Sequence, residues 1–108
     1  MTENFVFDTY ALVEMMEDSP AYLKYVDSDF IINSFIFAEF CYALIKHYPA
    51  NPEALTEKSG LMKSKIVQLL PEVIAEAMQF RYVNRKKGLS MEDCVSYIQA
   101  RKLGIPFL

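Results

Sequence analysis

The 108-residue sequence predicts an α/β sandwich built around a mostly parallel sheet. Three observations lead there. Phe5-Val6-Phe7 and Phe30-Ile31-Ile32 are short, unbroken apolar runs, as in strands buried on both faces. Each runs into a longer segment with helical spacing of its apolar residues. The few Pro and Gly residues fall mainly at the junctions, where helices start and stop.

In chain order, the first strand leads through Asp8 into a helix from Thr9 to about Glu17. Ser19-Pro20 signals a short helix, with Ser19 as N-cap and Pro20 at the first helical position. The second strand, Phe30 to Ile32, precedes a helix that Ser34 can cap and that runs to about His47, stopped by Pro49. Asn51-Pro52 opens a further helix, which Gly60 weakens midway. Lys65 to Leu70 reads either as the end of that helix or as a third strand. Its Ile-Val and Leu-Leu pairs before Pro71 favour the strand. From Pro71 to about Lys87, Val73, Ile74, Ala77, Met78 and Phe80 recur at helical spacing, with Gly88 as the stop. Ser90 opens the last helix, Gly104 closes it, and Ile105 to Leu108 begins another buried strand.

The 53% hydrophobic content, against 23% charged, is the balance of a folded globular domain rather than a disordered chain. The longest apolar stretch, Phe30 to Ile45, contains Asn33, Ser34 and Glu39 and falls short of the roughly 20 clean residues of a membrane helix. The N-terminus has no secretory pattern, so the expected compartment is the cytoplasm. Cys41 and Cys94 sit inside helical apolar patterns and read as reduced core residues. A net charge of −3 offers no global attraction to nucleic acid, so any such binding needs a local basic patch. Arg81, Arg85, Lys86 and Lys87 form one, although the end of a helix also favours cations by itself. His47 has no nucleophile pattern beside it and reads as a surface or capping residue. Most of the Phe and Tyr rings read as core or dimer interface.

Three carboxylates stand out. Asp8 follows a buried strand and starts a helix, at the sheet edge where α/β proteins build sites; a helix N-cap is the competing reading. Glu39 is the only charged residue between Phe30 and Ile45, on a helix with apolar side chains almost all round, where a buried carboxylate needs a compensating partner; the competing reading is a Glu paired with a core-edge Lys or Arg, or one in an exposed slot. Asp93, three residues after Ser90, fits a capping box, while Glu92 beside it reads as solvated. As a set, the three acids can converge on one sheet edge. Converging carboxylates repel unless a cation lies among them, and such hard oxygen donors suit Mg²⁺ or Mn²⁺.

Phe5-Val6-Phe7-Asp8-Thr9-Tyr10-Ala11-Leu12 resembles the opening of the PIN-domain family of ribonucleases. Ile32-Asn33-Ser34 leading to Ala38-Glu39-Phe40 is similar to the family's second acidic motif. Lys86-Lys87-Gly88-Leu89-Ser90 followed by Asp93 to Ala100 is similar to the third. Gly104 to Leu108 resembles the strand before the fourth motif, whose acidic residue the sequence does not reach. The resemblance, closest to the small VapC-type toxins, implies a three-layer α/β/α PIN-like domain over residues 1–108, lacking the family's C-terminal segment. It further implies an endoribonuclease in which Asp8, Glu39 and Asp93 hold Mg²⁺ or Mn²⁺, with Thr9 and Ser34 as supporting hydrogen-bond donors. A homodimer, an RNA substrate and a cognate antitoxin protein are the implied partners. The alternative is a non-catalytic PIN-like module that dimerises or binds antitoxin or RNA. A third reading is a metal-free α/β regulatory domain in which the acids only cap helices.

Overall fold

The computed structural model describes residues 4–16, 29–47, 49, 53, 57, 60 and 62–108. Strand β1 (Asn4–Val6) pairs in parallel with β2 (Asp29–Ile31), Phe5 opposite Phe30. Single parallel bridges extend this pair on both sides, Ile32 to Ile66 and Val6 to Phe107. The spatial order is therefore Ile66, β2, β1, Phe107. All four segments run the same way, as the sequence predicts for an α/β/α sandwich. Backbone bonds fix the outer segments: Ile32 N–H donates to Lys65 O at 2.9 Å, Val67 N–H to Ile32 O at 2.8 Å, and Leu108 N–H to Val6 O at 2.8 Å.

Helices α1 (Thr9–Met16) and α2 (Ser34–His47) pack together over a core of Phe5, Phe7, Leu12, Phe30, Ile32, Ile36, Phe40 and Leu44. Phe7 and Phe30 stack across the strands, ring centroids 4.8 Å apart and planes within 6°. A second core joins α3 (Pro71–Val83) to α4 (Met91–Leu103) through Val73, Ala77, Cys94, Val95 and Ile98. Its outer edge carries an ion pair, Lys102 Nζ to Glu76 Oε2 at 3.3 Å. Cys41 is half-buried and Cys94 buried, both free thiols as expected.

Three expectations are corrected. Ser34 does not cap α2. Asn33 does, its Oδ1 accepting from Ile36 N–H at 3.0 Å, while Ser34 is exposed. The Lys65 to Leu70 strand shrinks to the bridge at Ile66, preceded by a 3₁₀ turn at Lys63–Lys65 and followed by irregular chain up to Pro71. The helix expected to reach Lys87 ends at Val83: Asn84 leaves helical geometry, with φ −103° and ψ 22°, while its backbone N–H and its side chain both donate to the Phe80 carbonyl, at 3.1 and 2.9 Å. A 3₁₀ turn, Arg85–Lys87, then ends at Gly88, whose φ of 66° suits glycine. The short helix expected after Ser19-Pro20 lies outside the described residues. So does the one after Asn51-Pro52, apart from Glu53, Glu57, Gly60 and Met62, which are helical.

Candidate active site

Asp8 is placed by the sheet. Its backbone N–H donates to Leu108 O at 2.8 Å, which holds the residue at the carboxyl end of β1, and its Oδ1 accepts from Ala11 N–H at 2.7 Å. Asp8 is thus a helix cap and a sheet-edge acid at once. Asp93 lies in the first turn of α4, where its N–H donates to the N-cap Ser90 Oγ at 3.1 Å. Glu39 lies in the second turn of α2.

A buried polar cluster sets α2 against α4. Asn33 Nδ2 donates to Ser96 Oγ at 2.9 Å and to Gln99 Oε1 at 3.0 Å, and all three residues are buried. Glu39 and Asp93 ride on the two helices that this cluster joins.

The structure brings Asp8, Glu39 and Asp93 to the lining of one cleft, a cavity of about 330 Å³ that also takes in Glu92 and the hydroxyl residues Thr9 and Ser90. The cleft opens at the carboxyl end of the parallel strands, the edge where sheets of this kind bind ligands. Ser34 is not part of its lining; Ser90 supplies the second hydroxyl instead. Thr9 Oγ1 is buried with no hydrogen-bond partner among the described residues, an unsatisfied oxygen at an acidic cleft.

Glu39 is exposed rather than enclosed by apolar side chains. The inward face of α2 is Ile36, Phe40 and Leu44, at intervals of four, and Glu39 lies on its flank. Glu92 departs from expectation in the opposite sense: it is half-buried and hydrogen-bonded to Glu39. Burial, then the charge of Glu39, the hydrogen bond to Glu39 and the charge of Asp93 raise its carboxyl above the ordinary range. The sequence signal was its place beside Asp93 in the same first turn, where the two side chains diverge yet share one helix end.

Asp8 is raised as well, first by burial and then by the charge of Asp93, against the lowering effect of the Ala11 N–H. Protons therefore bind Asp8 and Glu92 more readily than they bind free carboxylates, chiefly because burial disfavours the charged form. The donor set of carboxylates and hydroxyls, with one oxygen unpaired, suits a hard divalent cation in its chemistry. Among the described residues, however, no three Asp, Glu, His or Cys side chains are gathered closely enough to form an ion-holding group. The acids line a cleft without forming a closed cage.

The model of the PIN domain family matches residues 5–108. No curated protein matches the sequence. Among solved structures, the chain is similar to the crystal structure of Mycobacterium tuberculosis VapC20, described as a sarcin-ricin loop cleaving toxin. The TM-score is 0.73 at 14% identity, over 94% of this chain and 84% of that one. At that identity the likeness speaks for the fold alone.

Proposed function

This chain belongs to the PIN-domain family, and on that premise we propose that it is a metal-dependent endoribonuclease of the VapC toxin type. The observation that carries the reading is the shared cleft: Asp8, Glu39 and Asp93, from three distant parts of the sequence, line one cavity at the sheet edge. Asp8, Glu39 and Asp93 would hold Mg²⁺ or Mn²⁺, which when bound supplies the Lewis acidity that hydrolysis of an RNA phosphodiester needs. Burial and the charge of Glu39 raise the Glu92 carboxyl above the ordinary range, so it takes up a proton more readily than a free glutamate and can moderate the negative charge of the cleft. Thr9 and Ser90 offer hydroxyls to the cleft, and the Asn33 cluster keeps the helices of Glu39 and Asp93 in register. A homodimer, a cognate antitoxin that covers the cleft, and a cytoplasmic setting belong to the same reading.

One observation favours a second reading. The acids as placed do not form an ion-holding group, which suits a PIN-like module that binds antitoxin or RNA without cutting it. A cleavage assay separates the two. The chain is incubated with a broad RNA pool, including a sarcin-ricin loop hairpin, in Mn²⁺, Mg²⁺ or chelator, beside its Glu39→Gln variant. The enzyme reading expects metal-dependent products that fall by on the order of a hundredfold in Glu39→Gln, the scale set by misplaced reacting groups. An inert wild type on every RNA would hand the case to the binding module.

A further inference from the structure

A second cavity, of about 360 Å³, adjoins the acidic cleft and shares Asp8 and Asp93 with it. Its remaining wall is apolar and ring-rich: Phe80 and Leu89, Tyr97 with Cys94 from α4, and Phe107 from the sheet edge. Phe80 and Tyr97 pack with centroids 5.2 Å apart, and Tyr97 keeps 39% of its surface exposed. The ring is packed against Phe80, carries the Arg101 guanidinium over it and lines the cavity, so a planar group that takes the place of that guanidinium can stack on it. Cations flank it. The Arg101 guanidinium lies 5.6 Å from the Tyr97 ring centre, and Arg81 Nε donates to the Leu89 carbonyl at 3.4 Å, beside the cavity wall. Arg81 is near enough for its charge to be felt by the Cys94 thiol. Exposed Arg85, Lys86 and Lys87 continue the positive charge along the chain leading to Leu89.

We infer that this cavity is a nucleobase subsite, which takes one unpaired base of a single-stranded RNA stacked on Tyr97 while the flanking phosphates run along Arg81 to Lys87. The inference rests on the nuclease reading and adds to it a requirement for an unpaired base beside the acidic cleft. The occupant follows from the combination of features. An aromatic platform with cations beside it matches a base joined to phosphate, and the shared carboxylates put that base next to the phosphodiester to be cut. A paired base has no free face to offer. Duplex RNA is therefore excluded from the subsite.

The test is binding, so it does not depend on cleavage. A short single-stranded RNA carrying 2-aminopurine is titrated with the wild-type chain in chelator at low salt, following fluorescence and anisotropy, with a duplex of the same length as comparison. Stacking should quench the probe at one position. Tyr97→Leu, which keeps an apolar side chain against Phe80, should weaken affinity by roughly five- to a hundredfold, the range for losing one base–aromatic stack. Tyr97→Phe should restore it. Replacing the quenched nucleotide by an abasic one should cause the same loss on the unaltered protein, and the two losses should not add. Equal affinity for Tyr97→Leu and wild type, with no sensitive nucleotide, overturns the subsite. So does a Tyr97→Leu chain that keeps RNA affinity but loses self-association in sedimentation, since the cavity would then serve a protein contact. If no single strand binds, the subsite fails; Mn²⁺-dependent cleavage by the same preparation then tells that result apart from failure of the nuclease reading itself.

Discussion

Asn33 Nδ2 donates to Gln99 Oε1 at 3.0 Å, a buried bond across 66 residues of sequence that ties the start of α2 to the middle of α4. The same side chain caps α2 through Ile36 N–H and reaches Ser96. One amide thus satisfies three partners in the dry interior. Asn33→Leu removes the cap and leaves the Gln99 and Ser96 side chains without their donor. The expected loss is about 3 kcal/mol, from a lost cap plus an unsatisfied buried group. Urea denaturation measures it, and a loss under about 0.5 kcal/mol, the size of an ordinary surface change, would show that the cluster carries no weight.

Acidity should act on stability through Asp8 and Glu92. In both, the folded carboxyl holds its proton more tightly than the unfolded chain does, so the folded state binds more protons between the ordinary and the raised value. Their contribution is therefore fullest below the ordinary carboxylate range and is lost as pH rises through the raised values. Asp8→Asn and Glu92→Gln, with no charge to suppress, should gain on the wild type as pH goes from acidic to neutral. Melting temperatures of the three proteins across that interval test it; parallel curves would mean that the cleft does not crowd these acids.

Added Mg²⁺ or Mn²⁺ should raise the melting temperature of the metal-free chain, since an ion that binds only the folded state stabilises it by mass action. Asp8→Asn should abolish the response, and Glu39→Gln should weaken it. An undiminished shift in Asp8→Asn would place the ion elsewhere.

Ser90 holds the first turn of α4 through its bond to Asp93 N–H. Ser90→Ala should cost about 1 kcal/mol, the usual loss of a helix cap, and Ser90→Asp should recover it. Chemical denaturation of the three chains suffices. Ser90→Ala as stable as wild type would show that α4 does not depend on this cap.

The fold was largely legible because its signals are local. The apolar runs at Phe5 and Phe30 and the Ser90, Gly88 and Gly104 boundaries each act through their own backbone. What the residues around Lys65 to Leu70 would do was not local, since Ile66 is strand-like only where β2 lies beside it. At the site, the acids Asp8, Glu39 and Asp93 were legible as a set, but their exposure was not. For Glu39 an enclosed site and an exposed slot were both open, because α2 is apolar on several sides and only packing decides that Ile36, Phe40 and Leu44 turn inward. Glu92 was read as solvated for the same reason: a residue beside a cap looks solvated until another helix brings Glu39 against it. Asn33 was passed over for Ser34, since both types cap helices and only the buried Ser96 and Gln99 distinguish them.

The bridge between Val6 and Phe107 joins the two ends of the described chain, and the Leu108 carbonyl accepts from the very residue that begins the acidic cleft, Asp8. Closing so long a loop comes late in folding, after nearer contacts have formed. On a ribosome, this edge of the sheet cannot assemble until Phe107 and Leu108 have left the exit tunnel. Until they emerge, the Asp8 N–H lacks its Leu108 carbonyl partner, and the edge of the cleft that Asp8 begins is left unsecured.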